Sequence, residues 1–323
     1  MGKILITGLT GFVGSHLAEY CLTKAKTKVF GTTLPYRFYD EMKRIEHIKN
    51  KIELFELDLN NKVAVRKILK KIKPDKIFHL AAQSVVSASW QSPEHTLSNN
   101  IMAELNIFEV LRDLKLNPII HIAGSSEEYG LIFKNELPVK ETNPFRPLSP
   151  YAVSKITQEM LAFQYHRSYG LKTVTTRAFN HDGPRRGKEY VTSNFARQIV
   201  AIERGQQKPI IEVGNLNVYR DYSDVRDIVR AYWLAVEKCK YGESYNVGSG
   251  KVYQIKDVLK ILLSYSTFGR KIKIEKNPKL MRPSDIPIIQ CDSTKFRKIT
   301  GWKPEIDFRD TLKDVLNYWR NNL

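Results

Sequence analysis

Three observations predict an α/β chain built on a doubly wound parallel sheet with helices on both faces. Short apolar runs of strand length alternate with helix-length segments through the first half. A glycine-rich turn joins the first such run to the first helix. Near residue 180 the pattern changes, which divides the chain into 1–180 and a smaller α/β part, 181–323, whose late segments are able to cross back to the first sheet.

The elements follow in order. Lys3–Thr7 is an apolar run of strand length, and Gly14–Lys24 is the helix after its turn. Strands are expected at Lys28–Thr32, Ile52–Glu56, Lys76–Leu80, Pro118–Ala123 and Thr173–Ala178. Helices are expected at Lys62–Lys71, Asn100–Leu114 and Tyr151–Tyr169. Past Phe179 come a Gly/Pro/Arg loop (His181–Gly187), a helix (Ser193–Arg204) and an apolar run (Pro209–Val213). A helix (Val225–Glu237), a strand (Glu243–Val247), a helix (Ile255–Ser264) and an amphipathic tail helix (Asp307–Arg320) complete the second part.

Composition narrows the function classes. The chain has 323 residues, 42% hydrophobic and 27% charged, which suits a folded globular protein and excludes disorder, collagen and coiled-coil arrays. It contains no apolar run of about 18 residues, so no transmembrane helix is expected. The N-terminus enters a strand directly and lacks a signal peptide's apolar stretch, which predicts a cytoplasmic protein. Cys21, Cys239 and Cys291 are widely spaced and form no CxxC, so they read as thiols in a reducing compartment and no metal site is expected. Lysine and arginine number 52 against 34 acidic residues, a net charge of +18. The lysines are spread along the chain, so the surplus reads as a solvated surface that favours an anionic substrate, not as a nucleic-acid footprint.

Thr7-Gly8-Leu9-Thr10-Gly11-Phe12-Val13-Gly14 carries the first chemistry. One glycine makes the tight turn, one lets the backbone approach a pyrophosphate, and one lets helix and strand pack closely. The helix start offers free N–H groups to the anion. An acidic residue for the adenosine ribose is expected at the end of the second strand. Val29-Phe30-Gly31-Thr32-Thr33-Leu34-Pro35-Tyr36-Arg37 has none, and Thr33 and Arg37 stand where a 2′-phosphate would bind. The cofactor is therefore read as NADP, with NAD possible. Asp58-Leu59 after the third strand is read either as an adenine contact or as a helix cap.

Tyr151-Ala152-Val153-Ser154-Lys155 is a YxxxK, which sets a phenol and an ammonium on one helix face. A cation beside a phenol lowers its pKa, which suits acid–base work near neutral pH. Upstream, Gly124-Ser125-Ser126-Glu127-Glu128-Tyr129-Gly130 brings two hydroxyls and two carboxylates to the C-terminal edge of the sheet, where ligands bind in such folds.

Taken in order, the glycine turn, Phe78-His79-Leu80-Ala81-Ala82, Asn100, Ser125-Ser126, Tyr151 with Lys155, and Arg177-Ala178-Phe179-Asn180 resemble the extended short-chain dehydrogenases/reductases that act on nucleotide sugars. The likeness covers nearly the whole chain and implies a Rossmann-type fold. Asn180-His181-Asp182-Gly183-Pro184-Arg185-Arg186-Gly187, Val191-Thr192, Arg220-Asp221 and Arg282-Pro283-Ser284-Asp285 resemble the GDP-mannose branch, which holds a 4,6-dehydratase and a 4-keto-6-deoxymannose reductase.

The resemblance implies roles. Ser125 and Tyr151 would hydrogen-bond the sugar 4-oxygen, and Lys155 would grip the nicotinamide ribose. Leu80, Ala81, Ala82 and Asn100 would serve the cofactor. Asn180 would hold the phosphate region, and Arg220 and Arg282 would clamp the diphosphate or ribose, with Asp285 beside them. Ser84, Val191, Asn194 and Arg197 complete the substrate set. Asn194 stands where the dehydratases carry a basic residue. Arg186 belongs to a loop that, in the dehydratase, lies near a neighbouring subunit's cofactor, which implies a tetramer. The helices Asn100–Leu114 and Tyr151–Tyr169 resemble a dimer seam.

The dehydratase reading assigns Ser125 a substrate hydroxyl contact, Ser126 a helper hydroxyl and Glu127 the base. It implies oxidation at C4, loss of water across C5 and C6, and reduction at C6. Serine at 125 in place of threonine, Glu128 in place of an apolar residue, and the chain length resemble the reductase instead. The reductase and a related epimerase remain alternatives. The non-enzyme alternative is an NADP(H)-binding sensor, for which Ser125, Tyr151 and Lys155 would be superfluous.

Overall fold

The computed structural model describes residues 2–35, 41–268, 271–281 and 283–323. With strands numbered along the chain, the first sheet holds β1 (Gly2–Thr7), β2 (Thr27–Thr33), β3 (Ile52–Glu56), β4 (Lys76–His79), β5 (Ile119–Ser125), β6 (Lys172–Ala178) and β10 (Glu243–Val247). Their order is β10-β6-β5-β4-β1-β2-β3, and every pairing is parallel. The α/β doubly wound class expected from the sequence is thus the observed one.

Strand alternation explains both the apolar runs and the two-faced burial. Ile4 and Ile6 turn to one face with Val29 and Phe78, while Leu5 turns to the other with Phe30 and Ile77. The helices Phe12–Leu22 and Val225–Lys238 cover the first face, supplying Leu17, Ala18, Ile228 and Val229. The helices Lys62–Ile72, Pro93–Asp113 and Pro150–Tyr169 cover the second. In Lys62–Ile72 the buried residues are Val65, Leu69 and Ile72, one stripe at helical spacing, and Asn61 caps the start by accepting the Ala64 N–H at 3.1 Å. Burying each such aliphatic side chain contributes about 1.5–3 kcal/mol.

The strand order reverses direction between β1 and β4, which opens a crevice at their C-terminal ends. β10 comes from the second half of the chain and pairs with β6, Glu243 opposite Val174. The remaining sheets are small. β9 (Tyr219–Asp224) pairs with β7 (Asn180–Asp182), β11 (Val252–Gln254) and β13 (Ile288–Ile289), and β8 (Ile210–Val213) pairs with β12 (Lys273–Lys276). Behind them, Phe195, Ile199, Val258, Leu262, Leu312 and Val315 form a separate core between the helices Val191–Glu203, Ile255–Ser264 and Phe308–Asn322.

Two differences from the sequence expectation have physical reasons. The helix expected from Asn100 begins at Pro93, because proline is preorganised for the first helical position while its polar neighbours hide the apolar periodicity. The strands β7, β11 and β13 span only three, three and two residues, too short for a period to show. Among the described residues no helix is long and apolar enough to cross a membrane, and no cluster of His, Cys, Asp and Glu is placed to hold a metal. All three cysteines are buried and unpaired.

Candidate active site

The crevice is a cleft of about 580 Å³. Its floor is the glycine turn. Gly8 adopts φ +67°, and a Cβ there would lie 3.0 Å from the Ala81 Cα. A Cβ on Gly14 would lie 2.3 Å from the Gly8 carbonyl oxygen and 2.8 Å from the Leu9 backbone. The side-chain-free cradle leads into the helix Phe12–Leu22, which has no side-chain cap and no acid in its first turn. Its first N–H groups and positive dipole end suit a diphosphate. Thr7 fixes the opposite wall: its Oγ1 accepts the N–H groups of Leu80 and Ala81, both at 3.1 Å, and bonds His79 Nδ1 at 2.9 Å. These residues fit the diphosphate of a dinucleotide.

The catalytic wall comes from the end of β5 and the start of the helix Pro150–Tyr169. Ser149 caps that helix, accepting the Ala152 N–H at 3.1 Å, and Pro150 occupies its first turn. Tyr151 and Lys155 follow one turn apart, with the Lys155 Nζ 5.9 Å from the Tyr151 ring centroid. The Tyr151 hydroxyl lies beside Ser125 on this wall. Lys155 Nζ donates to the Ala123 carbonyl at 2.8 Å. Burial lowers its pKa to about 8, against opposing pulls from Glu104 and Glu128. The sequence expectation of a lowered Tyr151 pKa is not met. Burial pushes the phenol up, Tyr190 adds to the rise, and the neighbouring Ser125 only partly offsets it.

Glu127 and Glu128 take different environments. Glu127 lines the cleft with Ser125 and Ser126. Glu128 is fully buried, and its Oε1 accepts the Ser125 N–H at 2.6 Å, closing a capping box on the short turn Ser126–Tyr129. Behind it Arg177 donates to Glu159, with Nε to Oε2 at 2.8 Å, and to the Tyr129 hydroxyl at 2.7 Å. Burial, with the neighbouring Glu159 charge adding, raises the Glu128 pKa well above the carboxylate range.

Most of the residues expected in the site line this cleft: Gly8, Thr10, Gly11, Phe12, Val13, Gly14, Thr33, Asp58, Leu59, Leu80, Ala81 and Ala82, then Ser84, Ser125, Ser126, Glu127, Tyr151, Lys155, Asn180 and Arg186. Asp58 caps no helix; its Oδ1 accepts the Asn60 N–H at 2.9 Å in a local turn, and Asn61 does the capping. Arg186 packs its guanidinium over the rings of Tyr190, at 3.6 Å, and Phe12, at 4.7 Å, within this chain's own cleft. Its buried Nε has no hydrogen-bond partner, which suits a phosphate oxygen.

Other expected residues lie elsewhere. Asn100 is fully buried beneath the cleft wall, where its Oδ1 accepts the Gln83 N–H at 2.7 Å and its Nδ2 donates to Ser154 Oγ at 2.9 Å. It therefore positions the wall and the helix and does not line the cleft. Asn194 and Arg197 line a second cavity of about 490 Å³ with Gln198, Lys208 and Leu280. Val191 is exposed and lines neither cavity. Arg220, expected to clamp an anion, spends its fork within the chain: Nη2 meets Asp285 Oδ1 at 2.6 Å and Nη1 the Ile286 carbonyl at 2.6 Å. The second oxygen of Asp285 accepts from Asn215 at 3.1 Å. Arg37 and Arg282 lie outside the described residues.

Sequence reasoning missed Glu41, Arg44 and Gln83, all of which line the cleft. Glu41 accepts the Thr10 hydroxyl proton at 2.8 Å, and Thr10 Oγ1 lies 2.9 Å from Thr33 Oγ1. A carboxylate eight positions beyond Thr33 is thus folded back to the end of the second strand.

With this geometry in place, the comparisons are consistent. A GDP-6-deoxy-D-mannose reductase from Pseudomonas aeruginosa is 30% identical over 99% of this chain and 98% of its own. A GDP-mannose 4,6 dehydratase from Arabidopsis thaliana is 32% identical over 97% of this chain and 85% of its own. The structure of RMD from Pseudomonas aeruginosa complexed with NADPH superposes with a TM-score of 0.85 at 28% identity, covering 100% of both chains. The family model described as GDP-mannose 4,6 dehydratase matches residues 5–315, and this chain belongs to that family.

Proposed function

We propose that the protein is an NAD(P)-dependent nucleotide-sugar 4,6-dehydratase that converts GDP-mannose to its 4-keto-6-deoxy product. The observation that carries this reading is the meeting of Glu127 with Ser125 and Tyr151 on one cleft whose floor fits a dinucleotide diphosphate. The bound nicotinamide supplies reversible oxidation and reduction of the sugar carbons. Tyr151, with Ser125 beside it on the cleft wall, holds and moves the proton of the sugar 4-oxygen. Lys155 orients the ribose beside it. Glu127 takes the C5 proton, and Ser126 supports departure of the 6-hydroxyl, so that one water leaves across C5 and C6. The base and diphosphate are assigned to the Asn194 and Arg197 end, with Arg186 on phosphate.

In this reading residues 1–180 bind the dinucleotide and 181–323 the nucleotide sugar, with β10 lent back to the first sheet. A second copy is proposed to pack on the helices Pro93–Asp113 and Pro150–Tyr169, where Met102, Val153, Met160 and Phe163 are exposed. Light scattering on the purified protein tests for that dimer. Three unpaired thiols suit work in the cytoplasm.

A reductase acting on the 4-keto-6-deoxy sugar is the second reading. It is favoured by length, since the chain spans 98% of the reductase but 85% of the Arabidopsis dehydratase. Incubation with GDP-mannose decides. Loss of one water from the nucleotide sugar, with no net NADPH consumed, supports the dehydratase. No change, together with NADPH-dependent reduction of the 4-keto-6-deoxy product, supports the reductase.

A further inference from the structure

The helix Phe12–Leu22, whose start fits a diphosphate, carries Phe12, His16 and Glu19 at positions i, i+4 and i+7, which is one helix face. The loop 181–187 of the second part lies along this face. His181 stacks on the Phe12 ring, with centroids 6.2 Å apart and planes 9° from parallel. The Pro184 carbonyl accepts from His16 Nε2 at 2.9 Å. Arg185 and Arg186 are adjacent in the chain, yet their side chains part. Arg186 lines the cleft over Phe12 and leaves its buried Nε without a hydrogen-bond partner. Arg185 does not line the cleft, and both ends of its fork are taken within the chain.

Its Nη1 donates to Glu19 Oε1 at 2.7 Å and to the Arg44 carbonyl at 2.9 Å. Its Nη2 donates to Glu19 Oε2 at 2.7 Å and to His16 Nδ1 at 2.6 Å. A guanidinium has no acceptor, so His16 Nδ1 accepts here, and its Nε2 carries the proton that meets Pro184. The pair of Arg185 with Glu19 is two-pronged, and the arginine side chain is 12% exposed. The backbone shows what this clamp holds. Arg185 has φ +73°, a left-handed conformation uncommon for a residue with a Cβ. The bonds of the fork offset that strain. The turn they hold sends side chain 185 to the later turns of the helix and side chain 186 to its first residue. Ser193 donates its hydroxyl to the Arg186 carbonyl at 2.8 Å, which fixes the chain after the turn but not the turn itself.

We propose that Arg185 is a positioning residue for the anion contact of Arg186. Its fork on Glu19 and His16 fixes the loop along the helix face, so that the Arg186 guanidinium meets a diphosphate held at the helix start. The resemblance implies that this loop serves a neighbouring subunit's cofactor; the clamp instead keeps Arg186 on the cleft of its own chain. A diphosphate comes with either the dinucleotide or the nucleotide sugar, and a guanidinium suits both. The inference rests on the proposed reading that Arg186 meets phosphate.

The test is a double-mutant cycle on binding by the full chain. Calorimetry measures GDP and, separately, whichever of NAD⁺ and NADP⁺ binds more tightly. Arg186→Ala is expected to weaken at least one of the two ligands by about tenfold or more, and that ligand identifies the source of the diphosphate. Arg185→Ala is expected to weaken the same ligand by about fivefold or more. The double variant is expected to bind it within about twofold of Arg186→Ala, because Arg185 acts only through its neighbour. Losses that add in the double variant, as when Arg185 acts through Arg44, overturn the proposal. So does an Arg185→Ala protein that melts earlier but keeps both affinities within about twofold, which is a role in stability alone. Glu19→Gln keeps the size of the acid but breaks the charged fork, and is expected to give a weaker form of the Arg185→Ala loss. It takes the place of Arg185→Ala in the cycle if that variant does not fold. If Arg186→Ala leaves both ligands within about twofold, the phosphate reading of Arg186 falls and its positioning by Arg185 falls with it, while loss of water from GDP-mannose still tests the dehydratase. A wild type that binds neither ligand overturns the nucleotide-sugar reading as well.

Discussion

Glu127 and Glu128 are adjacent in the chain, yet Glu127 lines the cleft while Glu128 is fully buried and accepts the Ser125 N–H at 2.6 Å. One carboxylate is on the cleft wall, and the other shapes the backbone that presents Ser125. The two glutamine variants therefore separate. Glu127→Gln keeps the shape but removes the proton acceptor, and is expected to lower the dehydration rate by about 10²–10⁴. Glu128→Gln keeps an oxygen for Ser125 and is expected to stay within about tenfold of wild type. Steady-state kinetics with GDP-mannose check both. Equal losses would remove the special role of Glu127.

Lys155 predicts a pH dependence. Its ordinary pKa is 10.5, and burial lowers it to about 8. Its ammonium is present below that value and lost above it, so activity is expected to fall as pH rises through about 8. Stability moves the other way. Between about pH 8 and 10.5 the unfolded chain binds a proton that the native chain does not, so this group makes stability rise with pH across that window. Lys155→Met is expected to abolish turnover and flatten the rise. A pH–rate profile and denaturant titrations at the two ends of the window test it.

The parts of the fold and site that could be read were those with a local cause. Ile4, Leu5 and Ile6 bury alternate side chains on the two faces of one sheet, so β1 reads as a continuous apolar run. Tyr151 and Lys155 carry a fixed spacing on one helix. The glycine turn needs its glycines because a Cβ at Gly14 would meet the Gly8 carbonyl. What could not be read depends on distant partners. Arg220 reads as a free cation until Asp285, 65 residues away, takes its fork. Glu41 carries no sequence signal, and only the fold of the chain after β2 brings it back to Thr10. Glu128 stands in the sequence as a charge in place of an apolar residue, and only the Arg177 and Glu159 cluster shows where it packs.

Gly14 gives a test of the cradle. An alanine Cβ there would sit 2.3 Å from the Gly8 carbonyl oxygen and 2.8 Å from backbone atoms of Leu9, none of which is the movable end of a side chain. Gly14→Ala is expected to destabilise by about 1–3 kcal/mol and to weaken both dinucleotides. Gly2→Ala, with nothing within 4 Å of the added methyl, is the control expected to change neither. Thermal melts and calorimetry give the two readouts. Unchanged dinucleotide affinity in Gly14→Ala would remove the turn from the binding site.

Asp221 predicts a loss of stability without a loss of chemistry. It is fully buried, and its carboxylate accepts four hydrogen bonds: from the Ser249 N–H at 3.0 Å, the Ser249 hydroxyl at 2.7 Å, the Gly250 N–H at 2.8 Å and the Cys291 N–H at 2.9 Å. These tie β9 to the turn before β11 and to the strand end after β13. Asp221→Ala leaves three backbone donors, one of them buried and two half-buried, without their acceptor and is expected to cost about 3 kcal/mol in urea denaturation. Asp221→Asn keeps one acceptor oxygen and is expected to lose less.

Glu104 supplies the last test, through the charge state of a buried acid. It is fully buried on the helix Pro93–Asp113, one turn beyond Asn100, and Gln158 lies beside it, yet neither carboxylate oxygen completes a hydrogen bond. Burial raises its pKa well above the ordinary 4.5, and the Lys155 ammonium only partly opposes the rise. The native chain therefore holds a proton here that the unfolded chain releases above about pH 4.5. Native protons then exceed unfolded protons, so this group's contribution to stability is full below that pH and declines as pH rises toward the native pKa. Glu104→Gln keeps the size and has no proton to lose. Its melting temperature is expected to be less dependent on pH than that of the wild type between about pH 5 and 8, and at least equal to it at the upper end. A Gln variant whose stability tracks the wild type across the whole range would mean that Glu104 is ionised in the native protein and acts as the counter-ion of Lys155.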